Sequence, residues 1–184
     1  MYTPGIQAAP MPQTPPVQEA PQPQEKPKAP AKSKGNDVGS FVQQCISLCS
    51  YINELRTQAH LCHLNYEGGN FLGVHAFLKT QYEDHQSQFD KLGEFIRSMD
   101  YLMPMCEKGL NSACPRFVHV KSYNAREMTT TYLKNLEMCG MMAKEIIEVA
   151  KEVEAPDVEN FLANTVNFCF KSSWMLKSTL RSQT

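Results

Sequence analysis

The sequence predicts an all-α protein, a four-helix bundle with a long crossover between the second and third helices, preceded by a disordered Pro/Lys-rich tail. Three observations carry this reading. Apolar residues recur at three- and four-residue spacing through four long stretches. No stretch alternates as a half-buried strand would. Short Gly- and Pro-containing corners divide the stretches into two pairs.

Residues 1–36 form a different polymer from the rest. They hold nine of the 12 prolines, and Lys26, Lys28, Lys32 and Lys34 against Glu19 and Glu25. Nearly free of large apolar side chains, this segment cannot bury enough surface to offset the entropy of ordering, so it is predicted disordered with polyproline-II character. From Asp37, a plausible N-cap, the pattern changes. Phe41, Cys45, Leu48, Cys49, Ile52, Leu55, Ala59 and Cys62 make one apolar stripe. Gly68 and Gly69 interrupt it. A second helix is expected from Phe71 to about Arg97, with Phe71, Val74, Leu78, Tyr82, Phe89, Leu92 and Ile96 as its stripe.

Residues 98–123 contain Pro104 and Pro115 and read as the crossover, with a short helix over Tyr101–Gly109. A third long helix is expected from about Ala125 to Glu154. Ala155-Pro156-Asp157 makes a tight corner, proline being tolerated in a first helical turn. A fourth helix runs to about Leu180. Hairpin pairs joined by one long crossover give the ferritin-like arrangement among four-helix bundles. The domain reading is a tail over 1–36 and one bundle over 37–184.

Charge is nearly balanced, with 18 Lys+Arg against 19 Asp+Glu. That excludes a uniformly basic nucleic-acid binder. No run of about 18 apolar residues exists to cross a membrane, and the first residues lack the charged start and apolar stretch of an export signal. The seven cysteines show no framework spacing and no Asn-x-Ser/Thr acceptor occurs, so reduced thiols in a cytoplasmic protein are expected.

Four of the five histidines, His60, His63, His75 and His85, fall within residues 60–85. His63 ends the first helix and His75 sits in the second turn of the next, so an antiparallel hairpin sets them at one height. A lone histidine on an apolar face is ordinarily a satisfied core residue; two facing each other across a turn suggest a metal site. Asp90 and Glu94 form an i,i+4 carboxylate pair, which is either a solvated edge or half of a ligand set. Fifteen residues separate His75 from Asp90, about 22 Å of helix. One chain therefore cannot bring all four side chains to one ion. Two copies related by a two-fold axis, with this helix packed antiparallel on its twin, can, and such an isologous interface makes two equivalent sites.

The string His63-Leu64-Asn65-Tyr66-Glu67-Gly68-Gly69-Asn70-Phe71-Leu72-Gly73-Val74-His75, followed by Asp90 and Glu94, resembles the signature of the Dps family of miniferritins. The likeness extends more weakly from about Asp37 to the C-terminus, including Asp157 and Trp174, and does not cover residues 1–36. The resemblance implies a hollow dodecamer with ferroxidase sites at its two-fold interfaces. Such a cage oxidises Fe(II), typically with hydrogen peroxide, stores ferric iron and thereby protects DNA from oxidative damage. His63 and His75 would be ligands from one subunit and Asp90 and Glu94 from its neighbour. The larger ferritins build their site within one subunit from Glu-x-x-His motifs, and none occurs here.

Two departures qualify the expected activity. Family members usually carry an Asp four residues after the second histidine; here Lys79 stands there. Either Lys79 pairs with the partner's carboxylates and takes the second iron position, or it swings away while Glu83 or a water supplies what is missing. The reading taken is a weakened but metal-binding site. The second departure is Leu64, where a Trp is common in the family and is thought to take up oxidising equivalents; Tyr66 and Tyr82 are candidate substitutes or plain packing.

The tail lysines Lys26, Lys28, Lys32 and Lys34 are candidate DNA contacts, since many Dps proteins bind DNA through such N-termini. One arm is weak, but twelve arms on a cage add by multivalency. The competing reading is a solubilising spacer. Cys45 and Cys49 supply only the first half of a zinc pattern, so they and Cys62, Cys139 and Cys169 read as small hydrophobes. Cys106 and Cys114 lie in the crossover. Met103, Met105, Met138, Met141 and Met142 are expected to fill core gaps. Two functions from other classes stay open: a cage with degraded ferroxidase activity that compacts DNA or is structural, and a metal-free four-helix interaction protein.

Overall fold

Asp37 caps the first helix as its position suggests: its side chain accepts from the Gly39 N–H at 3.3 Å. The coordinates come from a computed structural model and describe residues 37–114 and 116–181; the tail expected over 1–36, with its four lysines, lies outside them. Helix α1 runs Val38–Asn65 and buries all eight residues of the expected stripe. It also buries Val42, Ile46 and Tyr51, because it packs against both α2 (Phe71–Ser98) and α4 (Ala125–Glu152) while α3 (Glu107–Ser112) lies on it. A helix covered on several sides is apolar over more than one stripe.

On α2, Val74, Leu78, Leu92 and Ile96 are buried, and Tyr82 and Phe89 are half-buried against them. Phe71 departs from its expected place: it opens the helix at an exposed corner, where its ring lies 5.0 Å from that of His75. The short helix of the crossover also differs, starting later than the expected Tyr101. Asp100 is left-handed (φ 67°) and Pro104 keeps the preceding residue from helical geometry. Helix starts only at Cys106, whose Sγ accepts from the Gly109 N–H at 3.4 Å. Asn124 caps α4 by accepting from the Arg126 and Glu127 N–H groups. Pro156 opens α5 (Pro156–Arg181) after the left-handed Glu154.

The long helices close a ring in which α2 packs on α1, α1 on α4, α4 on α5 and α5 back on α2. Among the described residues the secondary structure is helical throughout, and no helix is long and apolar enough to cross a membrane. Three of the methionines behave differently from expectation. Met138 and Met141 are exposed because the core face of α4 is taken by Tyr132, Leu136, Cys139 and Ala143, while Met105 is exposed in the crossover. Met103 and Met142 pack on the core. The five helical cysteines are buried.

Two buried polar clusters order this core. Asn135 on α4 fulfils its whole hydrogen-bonding capacity. Its Oδ1 accepts from Tyr51 Oη (3.2 Å) and the Val118 N–H (3.3 Å), and its Nδ2 donates to Gln58 Oε1 (2.9 Å) and the Val118 carbonyl (2.7 Å). The crossover is thereby clamped to α1 and α4 together. Ser50 adds a bond to the Leu110 carbonyl at 2.6 Å, fixing α3 on α1. The second cluster joins α2 to α4, with His85 Nε2 at 2.9 Å from Tyr132 Oη and Nδ1 at 3.2 Å from Gln88 Oε1. Burial pushes His85 down to about 4, so its ring is neutral near pH 7.

Candidate metal centre

The corner between α1 and α2 is built residue by residue from the Asn65–Gly73 string. Tyr66 is buried and donates its hydroxyl to the Gly69 carbonyl at 2.9 Å, which folds the chain back on itself. Gly68 has φ 152°, open to glycine and strained for any other residue. Asn70 enters the left-handed region (φ 58°), which a short polar side chain tolerates, and becomes the N-cap of α2. Its amide then lies where a Cβ on residue 73 would be, 2.6 Å from Oδ1, so Gly73 leaves the room the turn requires. The string is therefore the mould of a tight antiparallel corner.

That corner places His63 and His75 face to face. Their rings stack with centroids 3.7 Å apart and planes at 23°. His63 Nδ1 lies 2.9 Å from the His75 carbonyl oxygen, and His75 Nδ1 lies 3.0 Å from the His63 carbonyl oxygen. A carbonyl only accepts, so both Nδ1 atoms carry a proton, and in the neutral rings each Nε2 presents a lone pair. The His63 carbonyl is in the last turn of α1, where such groups lack an intrahelical partner, so the contact also completes the helix end. Orientation of a ligating imidazole through its other nitrogen is the usual support for a metal site. His63 is buried and His75 half-buried.

Asp90 and Glu94 lie at the other end of α2, exposed beside a shallow groove of about 540 Å³ that is walled by Phe89, Gly93, Met103, Pro104 and Leu110. Neither makes an ion pair among the described residues. The helix separates them from the histidines by about 22 Å. Among the described residues, no three histidine, cysteine or acidic side chains converge on one point. The structure thus brings together His63 and His75, brings together Asp90 and Glu94, and keeps the two pairs apart.

Lys79, one turn beyond His75, is exposed and pairs with Glu83 on its own helix at 3.8 Å. Leu64 is 64% exposed and Leu72 80% exposed, and with Phe71 they form an apolar rim on the histidine corner. Trp174 is exposed on α5. His60, which sequence reading left without a role, stacks its ring on Tyr82 with centroids 4.3 Å apart, and its centroid is 6.2 Å from that of His63. Its i,i+3 relation to His63 was the signal available. His85 belongs to the core and not to this site.

A ferritin-like domain model matches residues 49–183. No curated protein sequence matches the chain. Solved structures that share the fold include Dps from Vibrio cholerae, described as a member of a broad superfamily of ferritin-like diiron-carboxylate proteins. It has a TM-score of 0.72 and 18% identity over 82% of this chain and 99% of that one. Dps from Thermosynechococcus elongatus gives 0.74 at 15% identity, covering 78% and 91%. Dps from Staphylococcus aureus gives 0.74 at 18% identity, covering 80% and 98%.

Proposed function

Because this chain belongs to the ferritin-like domain family, we propose that it is a Dps-type iron protein: a homo-oligomeric cage, dodecameric as the sequence resemblance implies, that oxidises Fe(II) at two-fold interfaces and stores the ferric product. The observation that carries the reading is the division of the ligand set. Two imidazoles held through Nδ1, with Nε2 left for a ligand, stand at one end of α2 and two unpaired carboxylates at the other. Antiparallel pairing of α2 with its twin lays His63 and His75 beside the partner's Asp90 and Glu94. The apolar rim of Leu64, Phe71 and Leu72 then meets the groove beside Asp90, an apolar contact that supports this pairing.

Imidazole and carboxylate together suit iron. Two Fe(II) each give one electron to peroxide; its O–O bond breaks and two protons are taken up to leave two waters. The acidic half neutralises cationic charge as Fe(III) forms, and the imidazoles fix the ions in place. Removing peroxide and Fe(II) together limits hydroxyl-radical damage to DNA in the cytoplasm. Tails bearing Lys26, Lys28, Lys32 and Lys34, multiplied on a cage, would hold the particle to DNA in a salt-dependent way.

The Lys79–Glu83 pair favours a weakened site over a lost one. It turns the ammonium toward its own helix, so the partner's carboxylates stay available, while the anionic ligand usual at that position is still missing.

Complementation tests the shared site. His63→Ala and Asp90→Asn chains should each lose iron-dependent peroxide consumption. When the two are unfolded together and reassembled, a heterodimer regains one intact site of its two. With random pairing about a quarter of native turnover returns, from the isologous count of sites. No recovery in reassembled mixed cages rejects the inter-subunit site.

A further inference from the structure

We propose that Tyr132 and His85 form a redox-active pair inside the bundle: the phenol gives one electron to the metal centre while its proton crosses to His85 Nε2. The proposal rests on the iron-oxidising reading of His63 and His75 and deepens it, by naming where a site holding one iron finds its second electron. Peroxide takes two electrons on its way to water, and one Fe(II) supplies one. With Lys79 where an anionic ligand would help hold a second iron, one ion is held more readily than two. A lone Fe(II) then needs another donor, or the O–O bond breaks to release a hydroxyl radical.

A phenol yields an electron readily only when its proton leaves with it, because the oxidised phenol is a strong acid. The acceptor must be a base already in hydrogen-bond contact, and Tyr132 has one. Its Oη lies 2.9 Å from His85 Nε2. His85 Nδ1, 3.2 Å from Gln88 Oε1, carries that ring's proton and leaves Nε2 with the lone pair. Burial keeps the imidazole neutral near pH 7, and the bond to Gln88 favours the charged ring once the proton arrives. The other buried phenols lack such a partner. Tyr51 lies 3.2 Å from the Asn135 amide oxygen and Tyr66 donates to the Gly69 carbonyl, and neither oxygen takes up a proton.

The pair is shielded from solvent yet near the corner. Both side chains are fully buried, so the proton that leaves Tyr132 stays on His85 until it returns. Gln81 Oε1 lies 3.3 Å from Tyr132 Oη. Gln81 follows His75 by six residues on α2, about 9 Å along the helix. Cys62, close enough to Tyr132 for their charges to interact, directly precedes His63 on α1. The phenol therefore stands within tunnelling reach of the histidine corner and out of contact with peroxide.

In the step, Fe(II) loses one electron and Tyr132 loses the other. The peroxide O–O bond breaks, two protons from solvent complete two waters, and the phenolic proton remains on His85 beside a neutral tyrosyl radical. The next Fe(II) to bind returns an electron to the radical as His85 returns the proton. The full cycle thus consumes two Fe(II) per peroxide.

The test uses the assembled full-length protein with Tyr132→Phe and His85→Gln, their helicity and assembly checked by circular dichroism and gel filtration. The metal-free proteins are oxidised by a photo-excited ruthenium tris-bipyridine complex with persulfate as electron acceptor, then frozen. Electron paramagnetic resonance, with ring-deuterated tyrosine, should show in the native protein a tyrosyl radical whose lowest-field g value is reduced by a hydrogen bond from His85. Both variants should lack that component. Its absence from the native protein, or its survival in Tyr132→Phe, overturns the pair. One Fe(II) per site is then mixed with peroxide. The native protein should form the same radical, and Tyr132→Phe should release several-fold more spin-trapped hydroxyl radical while losing Fe(II) at the native rate. Equal trapping overturns the role as second donor and leaves the metal centre standing. Native protein that oxidises Fe(II) no faster than buffer alone overturns the metal centre itself, and the pair loses its acceptor.

Discussion

His63 and His75 hold one another through a reciprocal pair of bonds, each Nδ1 on the other's backbone carbonyl, so neither ring can turn away without stripping a partner from the other's helix. The pairing sets the tautomer of both rings before any ion arrives. In the metal-free protein, ¹⁵N–¹H correlation spectra of the neutral rings should show both as Nδ1–H tautomers with unprotonated Nε2. Either ring found as the Nε2–H tautomer would contradict the geometry.

Replacing Lys79 by aspartate restores an anion one turn after His75 and removes a cation from beside the site. Two like unit charges 4 Å apart repel by roughly 4 kcal/mol at an effective dielectric of 20 before screening. The exposure of Lys79 and its pairing with Glu83 reduce that figure substantially. Lys79→Asp is expected to speed iron-stimulated peroxide consumption about tenfold, a change in barrier near 1.4 kcal/mol. Equal rates in the two proteins would dismiss the idea that Lys79 weakens the centre.

Asn135 ties α1, α4 and the crossover together with four bonds, two of them to Val118. Asn135→Ala leaves buried Tyr51 Oη and Gln58 Oε1 short of a partner, each costing about 1–3 kcal/mol, and strips the Val118 N–H, while the Val118 carbonyl keeps its bond from Gln58 Nε2. A net loss of roughly 3 kcal/mol is expected, read as a lower denaturant midpoint with an unchanged slope. A midpoint within error of the native one would mean that the crossover re-forms its bonds elsewhere.

The contrast between these residues explains what the chain reveals before folding. All four long helices follow from periodicity and caps, because Asp37, the Gly68-Gly69 break and Pro156 act on their immediate neighbours. The separation of His63 and His75 from Asp90 and Glu94 also follows, being set by rise per residue along one helix. Asn135 and His85 leave no such trace: their partners are 84 and 47 residues away, and a buried amide reads like an exposed one. Phe71 and Met138 have the right spacing for a core stripe, but a helix corner and an occupied packing face turn them outward. The mismatch at α3 comes from Pro104 and Asp100, which act on backbone geometry and override apolar spacing.

His85 makes the bundle sensitive to mild acid. Burial, and not its partners, fixes the neutral form: Nδ1 donates to Gln88 Oε1, a bond that favours the charged ring, and Nε2 lies 2.9 Å from Tyr132 Oη. With its folded value pushed down to about 4 by burial, against an ordinary value of 6.5, the unfolded chain binds the proton first as pH falls. The neutral ring's contribution is complete above about pH 6.5 and is lost as pH falls toward 4. A difference of this size amounts to roughly 3 kcal/mol. In a urea series at several pH values, His85→Gln should lose less stability than the native protein across that window. Parallel curves would show that His85 does not carry the effect.

Thiol reactivity should divide the seven cysteines sharply. Cys106 is exposed in the crossover, whereas Cys45, Cys49, Cys62, Cys139 and Cys169 sit inside the helices. Burial pushes Cys45, Cys49 and Cys62 up to about 12, and half-buried Cys114 up to about 11. The thiolate is the reactive form, so these groups are both shielded and almost wholly protonated at pH 8. One fast-reacting thiol per chain is expected with an aromatic disulfide reagent, and all seven once the protein is unfolded. Cys106→Ser should remove the fast phase while leaving the unfolded count one lower. A fast phase that survives in Cys106→Ser would mean that a helix opens often enough to expose a buried thiol. The α4–α5 contact, where Cys139 and Cys169 face each other beside Gly140, would be the first place to look.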